Sequence, residues 1–473
     1  MRSVLGGCRP LTGALAMAAA CLGGRVEVQA QEQQRPPYEA IRADEDWSVL
    51  RNPALRDDVW DRLKYIELPR PEWFLTFAGE ARARYELLDY PRFGYGPPDR
   101  NGYLLQRYLV STDWHFGGHL RVFGELQSGL AHGRVGPFVP TFINRLDLHQ
   151  AFIDYLPVKG TRHPLRIRVG RQEMALGAGR LISSGEGLNV RRSFDGVRAI
   201  AQQGPVTWNA GLFRLVKSEP GVFDDESNRD LTYWGLGATA RLNRWQGAGM
   251  SVYYIGIDRG DAASHDGAGP ALRHTLGLRS WRSGTGRWDF NHEVVAQWGT
   301  FNGGPIRAWG FSSDTGFMFE YRQGTRLGIR ADLASGDKHH GDGALNSFDP
   351  LLPSAISYSG NSGLLGPTNL IAVSPTIRVS VSPRVTVGAG APTFWRQSIE
   401  DGVYLITTAP VPQSKPSFER FVGLNPDVGV AWEASRHVSV TALFSTFFVG
   451  PFLRDTTPGR SVNYVYSAVS YRF

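Results

Sequence analysis

The stretch FAGEARARYE, residues 77–86, decides the fold because its residue types alternate. Successive side chains of an extended strand point to opposite faces. Phe77, Ala81 and Tyr85 therefore share one face with the small Gly79 and Ala83. The other face is a row of charges: Glu80, Arg82, Arg84 and Glu86. The apolar face could contact lipid, and the charged face could line a water-filled lumen. The stretch therefore predicts a strand of a transmembrane barrel.

The same alternation recurs from residue 72 onward, with Leu, Val, Ile or aromatic residues set against Arg, Asp, Glu or His. The repeats are LQRYLVSTDWHF (105–116), LRVFGEL (120–126), RLDLHQAF (145–152), PLRIRVG (164–170), WDFNHEVVAQW (288–298), RLGIRADLAS (326–335) and TIRVSVSPRVTVGAG (376–390). The last repeat predicts a hairpin that turns at Ser382 and Pro383. In RLDLHQAF we expect Leu146, Leu148 and Phe152 on the apolar face, which Gln150 interrupts.

The segments between the repeats differ in length. Some are long and rich in glycine, such as residues 336–367, whereas ASRH (434–437) is short. Long loops at one end and short turns at the other are typical of outer-membrane barrels. The last stretch, VNYVYSAVSYRF (462–473), alternates up to Phe473 and is typical of the closing strand of such a barrel.

The first thirty residues predict a secretory signal peptide. Arg2 and Arg9 accompany the apolar stretch LTGALAMAAACLGG (11–24), and Val28 to Ala30 fit a small-residue cleavage site. Residues 31–71 are charged and rich in proline and show no period of two, so we expect a short periplasmic or pore-mouth segment there, with a helix near ALRDDVWDRL (54–63).

Composition agrees with a large β protein. The 473 residues are 42% hydrophobic and 20% charged, which is too polar for a bundle of membrane helices. Arginine makes up 46 of the 51 basic residues, and its planar group favours bidentate contacts with carboxylates. We therefore predict an all-β, antiparallel transmembrane barrel of about 18 strands (16–18) over residues 72–473, in the outer membrane of a Gram-negative bacterium.

Several stretches together resemble the alginate export family, outer-membrane barrels that secrete an anionic exopolysaccharide. They include FAGEARARYE, LDLHQAFIDY, LRIRVGRQE, FDGVR, NHEVVAQWGTF, RADLASGDK, FDPLLP and GPTNLI, between residues 72 and 371. The resemblance implies 18 strands around a lumen of arginines with interspersed carboxylates. His149 stands where the best-known member of the family has an arginine, which leaves the saccharide itself open.

The candidate pore-lining residues come from the charged faces and from the positions that match the family. They are Glu80, Arg82, Arg84, Arg107, Arg121, Glu125, Arg145, Asp147, His149, Arg166, Arg168, Arg171, Asp195, Arg198, Glu293, Arg330, Asp332 and Arg378. Two functions fit this set. The arginines could guide an anionic saccharide through the lumen, or they could pair with carboxylates to stiffen the wall of a general uptake porin.

Other classes of function have weaker support. An enzyme would need Ser183 or Ser184 with His149 at a lipid-facing rim, whereas His149 is expected on the luminal face. No nucleic-acid module is present in the sequence, and GDKHHGDG (336–343) is expected to be a solvated loop and not a metal site. We expect no cofactor. The expected partners are an anionic polysaccharide or another hydrophilic solute, outer-membrane lipid with lipopolysaccharide, and, by analogy, a periplasmic scaffold protein.

Overall fold

A computed structural model gives the structure of the chain. It describes residues 35–473 except for 137–138, 158–163, 243–246, 266, 285, 320–323, 340, 355–357 and 359–361. The predicted signal peptide therefore lies outside the described residues.

The described chain is built almost entirely of strands. They are β1 (Ile66–Glu67), β2 (Trp73–Leu88), β3 (Tyr103–Phe116), β4 (Leu120–His132), β5 (Asn144–Tyr155), β6 (Leu165–Gln172), β7 (Phe194–Gln203), β8 (Val206–Lys217), β9 (Glu226–Arg241), β10 (Ala248–Ser264), β11 (Gly267–Arg282), β12 (Trp288–Phe301), β13 (Gly304–Phe319), β14 (Thr325–Ala334), β15 (Leu370–Ser382), β16 (Val385–Gly390), β17 (Thr393–Arg396), β18 (Phe421–Leu424), β19 (Asp427–Glu433), β20 (Val438–Val449) and β21 (Val462–Arg472).

These strands close into one antiparallel barrel. Each wall strand pairs with its neighbours in sequence, and β21 returns to pair with β2, where Ala81 lies opposite Tyr471. Beyond that ladder, the N–H of Gly79 donates to the carbonyl of Phe473 at 2.9 Å. The barrel wall has 18 strands, because β16 with β17 and β18 with β19 each form one interrupted strand. The predicted fold class is confirmed.

Proline explains both interruptions. Pro392 lies between β16 and β17, and Pro426 lies between β18 and β19. Proline has no N–H to give to a ladder, so a regular strand stops there. The two gaps face each other, and the N–H of Asn425 donates to the carbonyl of Pro392 at 2.8 Å, which keeps the wall continuous.

The two ends of the barrel differ as expected. At the end where β2 begins, which we call the N-terminal end, short turns such as 204–205 and 383–384 join the strands, and the hairpin predicted at Pro383 is confirmed. At the opposite end several connections are long, including 173–193 and 397–420, although the turn 302–303 is short. We call residues 173–193 the inner loop, because they fold back into the barrel.

Helices are short. The α-helices are α1 (Asp61–Lys64) and α2 (Pro451–Thr456), and the 3-10 turns are Arg42–Asp44, Ser48–Arg51, Pro53–Leu55 and Pro91–Gly94. The helix expected near residues 54–63 is thus reduced to the single turn of α1. No helix in the described part of the chain is long and apolar enough to cross a membrane.

One predicted face is wrong because β5 contains a bulge. The register of β4 with β5 shifts between the pairs Glu125–Gln150 and Leu126–Leu148, so His149 has no residue opposite it. A bulge reverses the alternation beyond it. Gln150 and Phe152 therefore point inward and are buried, whereas Ile153 is exposed. Phe152 was expected beside Leu146 and Leu148 on the apolar face.

Candidate functional site: the lumen

The charged faces of the strands line the inside of the barrel. On the outside, apolar side chains such as Val110 and Val294 are each 53% exposed, as on a surface that meets lipid. On the alternate positions, Arg107 is 0% exposed and Glu293 is 3% exposed. Charged groups with so little water contact need partners inside the barrel.

The first luminal cluster joins β2 and β3 to the inner loop. Arg107 Nε donates to Glu80 Oε1 at 2.9 Å, and Arg107 Nη1 donates to the carbonyl of Glu186 at 2.9 Å. Arg82, directly opposite Arg107 in the register, donates to the carbonyls of Glu186 (3.1 Å) and Leu188 (2.5 Å). Arg84 pairs with Glu86 at 2.8 Å and also binds the carbonyl of Gly187. The arginines of the FAGEARARYE stretch therefore hold the inner loop against the wall.

A second cluster joins β4 and β5 to both ends of the inner loop. Gln150 donates to Glu125 at 2.9 Å, and His149 Nε2 lies 2.8 Å from Glu173 Oε1. Arg191 binds both oxygens of Glu173. Glu125, His149 and Glu173 are close enough together to hold a metal ion. The guanidinium of Arg191 already supplies a cation beside Glu173, whereas Glu125 Oε2 has no hydrogen-bond partner in the described structure.

A third cluster crosses β3, β4, β5 and β6. Arg121 binds Asp113 through two bonds of 2.7 and 2.9 Å. Arg168 binds Asp154 in the same bidentate way, at 2.7 and 2.9 Å. Arg166 is half-exposed, and its Nε lies 3.9 Å from Asp154. Bidentate Arg–carboxylate pairs are rigid, so this part of the lumen is wall structure.

The remaining carboxylates on the candidate list are also engaged. Arg171 binds Asp195 at 2.8 and 3.2 Å, but the alternation puts both on the outward face with Val169 and Val197 and not in the lumen, where they were expected. Arg330 binds Asp332 at 3.0 Å. Glu293 receives the hydroxyl of Tyr253 at 2.6 Å and lies 3.3 Å from Arg180 of the inner loop. Asp147 binds backbone N–H groups of loop 218–225. Arg145, in contrast, is exposed and has no ion pair with any described residue.

Arg198 and Arg378 are luminal arginines that lack a carboxylate within ion-pair distance in the described part of the chain; Arg82 also lacks one, but backbone carbonyls of the inner loop bind it. Arg198 donates only to Asn209 Oδ1, at 3.1 and 2.7 Å, and lies directly opposite Arg168. Arg378 makes no hydrogen bond or ion pair with a described residue, is exposed, and lies opposite Arg326. Like charges directly opposite in a ladder repel. Both positions therefore present to the lumen a positive charge without an ion-pair partner among the described residues, in the half nearer the N-terminal end.

The N-terminal segment, residues 35–65, enters the lumen from the N-terminal end. Arg42 donates to the carbonyl of Gly79 at 2.7 Å, and the carbonyl of Ala43 accepts from Arg121 at 2.7 Å. Ala43 packs against Phe123 and Phe152. Deeper still, the carbonyl of Ala40 accepts from Arg191 of the inner loop at 2.6 Å. The two inserted elements therefore meet inside the barrel.

The base of this segment packs on the rim. Trp47, Leu50 and Tyr65 form a buried cluster with Phe74 of β2, and Trp60 stacks on Phe473 with ring centroids 4.4 Å apart. Lys64 is fully buried, and its Nζ lies 4.7 Å from the Trp47 ring without a hydrogen-bond partner among the described residues. Burial lowers the pKa of Lys64 to about 7, although Glu45 and Asp61 nearby favour its charged form.

This lysine makes the docking of the segment depend on pH. The pKa of Lys64 is about 7 when docked, against 10.5 for a free side chain. Between these values the undocked segment binds more protons, so docking strengthens as pH rises from about 7 to 10, by at most about tenfold per pH unit. Trypsin cleavage within residues 35–65 should slow over this window, and Lys64→Met should remove the dependence. An equal pH dependence in Lys64→Met would contradict the assignment.

A second element folds in from the loop that follows β14. The N–H of Ser183 in the inner loop donates to the carbonyl of Leu352 at 3.0 Å, and Asp349 lies 3.3 Å from Arg259. Phe348 and Leu351 join a buried apolar cluster with inward side chains of β7 to β13. Residues 345–353 of this loop therefore fold into the lumen.

Sequence reasoning missed the luminal partners that the loops and the N-terminal segment supply. They are Arg42, Glu45, Glu173, Arg180, Glu186, Arg191 and Asp349. None lies in an alternating strand, so no periodic signal marks them. Asp113 and Asp154 do lie on strands, and the alternation of β3 marked Asp113 as luminal.

The chain matches the model of one protein family and is similar in fold to several solved structures. A family model described as alginate export matches residues 74–467. Among solved structures, the barrel is similar to OpdK of Pseudomonas aeruginosa with vanillate (10% identity, TM-score 0.56, 84% of this chain and 98% of that chain). It is also similar to OccK2 (OpdF) of Pseudomonas aeruginosa with glucuronate (12%, 0.56, 84% and 98%) and to a BenF-like porin from Pseudomonas fluorescens (12%, 0.56, 84% and 98%). Curated protein sequences gave no match.

Proposed function

The chain belongs to the alginate export family, and from that membership we propose that its lumen conducts an anionic, alginate-like saccharide. Membership makes it a substrate-conducting barrel of the Gram-negative outer membrane, a channel and not an enzyme. What we propose beyond this membership is that the substrate is negatively charged. Outer-membrane barrels have their short turns on the periplasmic side, which puts the N-terminal end in the periplasm. An exported polymer would enter there and meet the half of the lumen nearer the N-terminal end first.

The observation that carries the proposal is the positive charge of Arg198 and Arg378. Each lies beside another arginine and neither has a carboxylate at ion-pair distance among the described residues. The low-dielectric wall concentrates the electric field of these charges in the lumen, and this field raises the local concentration of anions. Contacts at several separate arginines are each weak enough for the anion to leave again. Two solved barrels of similar fold hold vanillate and glucuronate, both carboxylates.

A general uptake porin is the second candidate. It is favoured by the luminal arginines that already bind carboxylates, among them Arg107, Arg121 and Arg168. These pairs stiffen the wall and leave little charge for a substrate. The predicted contacts with lipopolysaccharide and with a periplasmic scaffold protein stay predictions under either function.

Selectivity in a planar bilayer separates the two candidates. Under a KCl gradient, the wild-type channel should favour anions, and Arg198→Gln with Arg378→Gln should lower the anion-to-cation permeability ratio at least about twofold, since luminal fields change local ion concentrations about tenfold or more. Oligoalginate should block the wild type more strongly than the double variant. Arg214→Gln is the matched control, because Arg214 is exposed on the same face as Leu212 and Trp208. A non-selective wild type indifferent to oligoalginate would favour the general porin.

A further inference from the structure

A recess opens in the inner wall of the barrel, between the inner loop and the strands β8, β9 and β10. Met174, Leu176 and Ile182 line it from the inner loop. On the wall, the inward positions Gly235 and Gly237 carry no side chain. The empty space is about 460 Å³, part of it open to solvent, and sites for small molecules usually measure about 300–1,000 Å³. The wall therefore leaves room for a small ligand beside the inner loop.

Apolar and aromatic groups make up most of the lining. Phe213, Tyr253 and Ile255 are buried and point inward from β8 and β10. The Phe213 ring lies over Gly211, where an added Cβ would come within 2.4 Å of it. The hydroxyl of Tyr253 already donates to Glu293 at 2.6 Å, so Tyr253 offers its ring to the recess. Such a lining favours a flat, apolar ring, which gains both burial and aromatic contacts there.

Arg198 is the charged residue of this lining. Its Nε and Nη2 both donate to Asn209 Oδ1, at 3.1 and 2.7 Å, and its Nη1 makes no hydrogen bond with a described residue. Arg168 lies directly opposite and is already bound to Asp154. The guanidinium of Arg198 is thus held in place with N–H groups to spare, and guanidinium groups bind carboxylates through strong, charge-assisted hydrogen bonds. A carboxylate in the recess would find its counter-charge there.

One charge beside a largely apolar space selects among anions. The hydroxyl groups of a saccharide would lose water in the recess and find few free polar groups among the described lining residues to replace it. An inorganic anion would meet Arg198 but would leave the apolar space unfilled. A carboxylate attached to an aromatic ring satisfies both parts, because the ring fills the apolar space while the carboxylate meets the guanidinium.

We propose that this recess binds a small aromatic carboxylate, with its ring between Phe213, Tyr253 and the inner loop and its carboxylate on Arg198. The inference goes beyond the proposed function, because the ligand is a small acid and not a saccharide. The recess shares Arg198 with the proposed path of the saccharide, so a bound aromatic acid would compete with a polymer at that residue. Of the residues that line the recess, the sequence analysis assigned only Arg198 to the pore.

Equilibrium dialysis with radioactive benzoate tests the recess on the mature chain refolded into detergent, with protein-free micelles as the blank. We expect saturable binding of about one benzoate per barrel. Acetate lacks the ring and benzyl alcohol lacks the charge, so each should compete at least about tenfold more weakly than unlabelled benzoate. D-Glucuronate should also compete at least about tenfold more weakly, because its hydroxyl groups would lose water. These comparisons use the wild-type chain and do not depend on the folding of a variant.

Two variants assign the binding to this recess. Arg198→Gln should weaken benzoate binding at least about tenfold. Arg378→Gln is the matched control and should leave it unchanged, because Arg378 also lacks a carboxylate partner among the described residues but does not line the recess.

Each result has one meaning. Equal weakening by both variants would overturn the proposal, since benzoate would then report the general positive charge of the lumen. An absence of saturable benzoate binding would overturn it too, as would acetate or D-glucuronate that competes as well as benzoate. Ion selectivity in the bilayer is a separate measurement, so an unselective channel that still binds benzoate in this way would contradict the saccharide function alone.

Discussion

Deleting residues 35–65 is expected to raise the single-channel conductance at least about twofold, because conductance grows with the open cross-section of a water-filled lumen. The segment places Ala40, Arg42 and Ala43 against the inner wall, where they contact Arg191, Gly79 and Phe123. Planar-bilayer recordings of the full-length and shortened barrels measure the change directly.

Adding the segment back provides the control. A synthetic peptide of residues 35–65, supplied at the N-terminal end, should lower the conductance of the shortened barrel, and the same peptide at the opposite end should not. An unchanged conductance after deletion would mean that ions pass beside the segment and that the inner loop alone sets the constriction.

Replacing Arg107 by Met is expected to cost about 3–5 kcal/mol of unfolding free energy, the usual effect of breaking a buried ion pair from one side. Arg107 is fully buried, and it holds Glu80 at 2.5 Å and Glu186 at 3.0 Å. Met matches the length of the arginine stem but leaves both carboxylates short of a partner. Urea unfolding in detergent, followed by tryptophan fluorescence, gives the difference.

Two further variants distinguish this cause from lost packing. Arg436→Met removes an exposed pair with Asp57 and should cost no more than about 1 kcal/mol. Adding Glu80→Gln to Arg107→Met should recover part of the loss, because the buried Glu80 carboxylate, left with Arg472 alone as an ion-pair partner, is its main source. If the double variant is as unstable as the sum of both single variants, the ion pair is not the cause.

The barrel could be predicted because its signal repeats. The period of two in FAGEARARYE and later stretches predicts both the strands and their two faces. In the structure Arg107, Arg168 and Asp332 are buried on the inward face. Phe152 was misplaced because a bulge is one unpaired residue, which leaves the residue types unchanged and only reverses the faces beyond His149.

The partners of the luminal charges could not be predicted. Glu186 and Arg191 lie in the inner loop, whose path depends on contacts with distant strands and not on any local repeat. The sequence therefore predicted a lumen lined by arginines but could not separate the paired Arg168 from Arg198, which has only an amide partner. The difference between the two arginines matters for function, because an arginine without a carboxylate partner has its charge available to a substrate.

The contact between Arg191 and the carbonyl of Ala40 has a thermodynamic consequence. The inner loop descends from the opposite end of the barrel and the N-terminal segment rises from the N-terminal end, so each stabilises the other. Such coupling is reciprocal: an event that displaces one must weaken the other by the same free energy. A polymer that pushes the segment aside from the periplasm would thereby loosen the loop ahead of it, and a ligand that orders the loop from outside would hold the segment in place. The N-terminal segment and the inner loop would then open the lumen together.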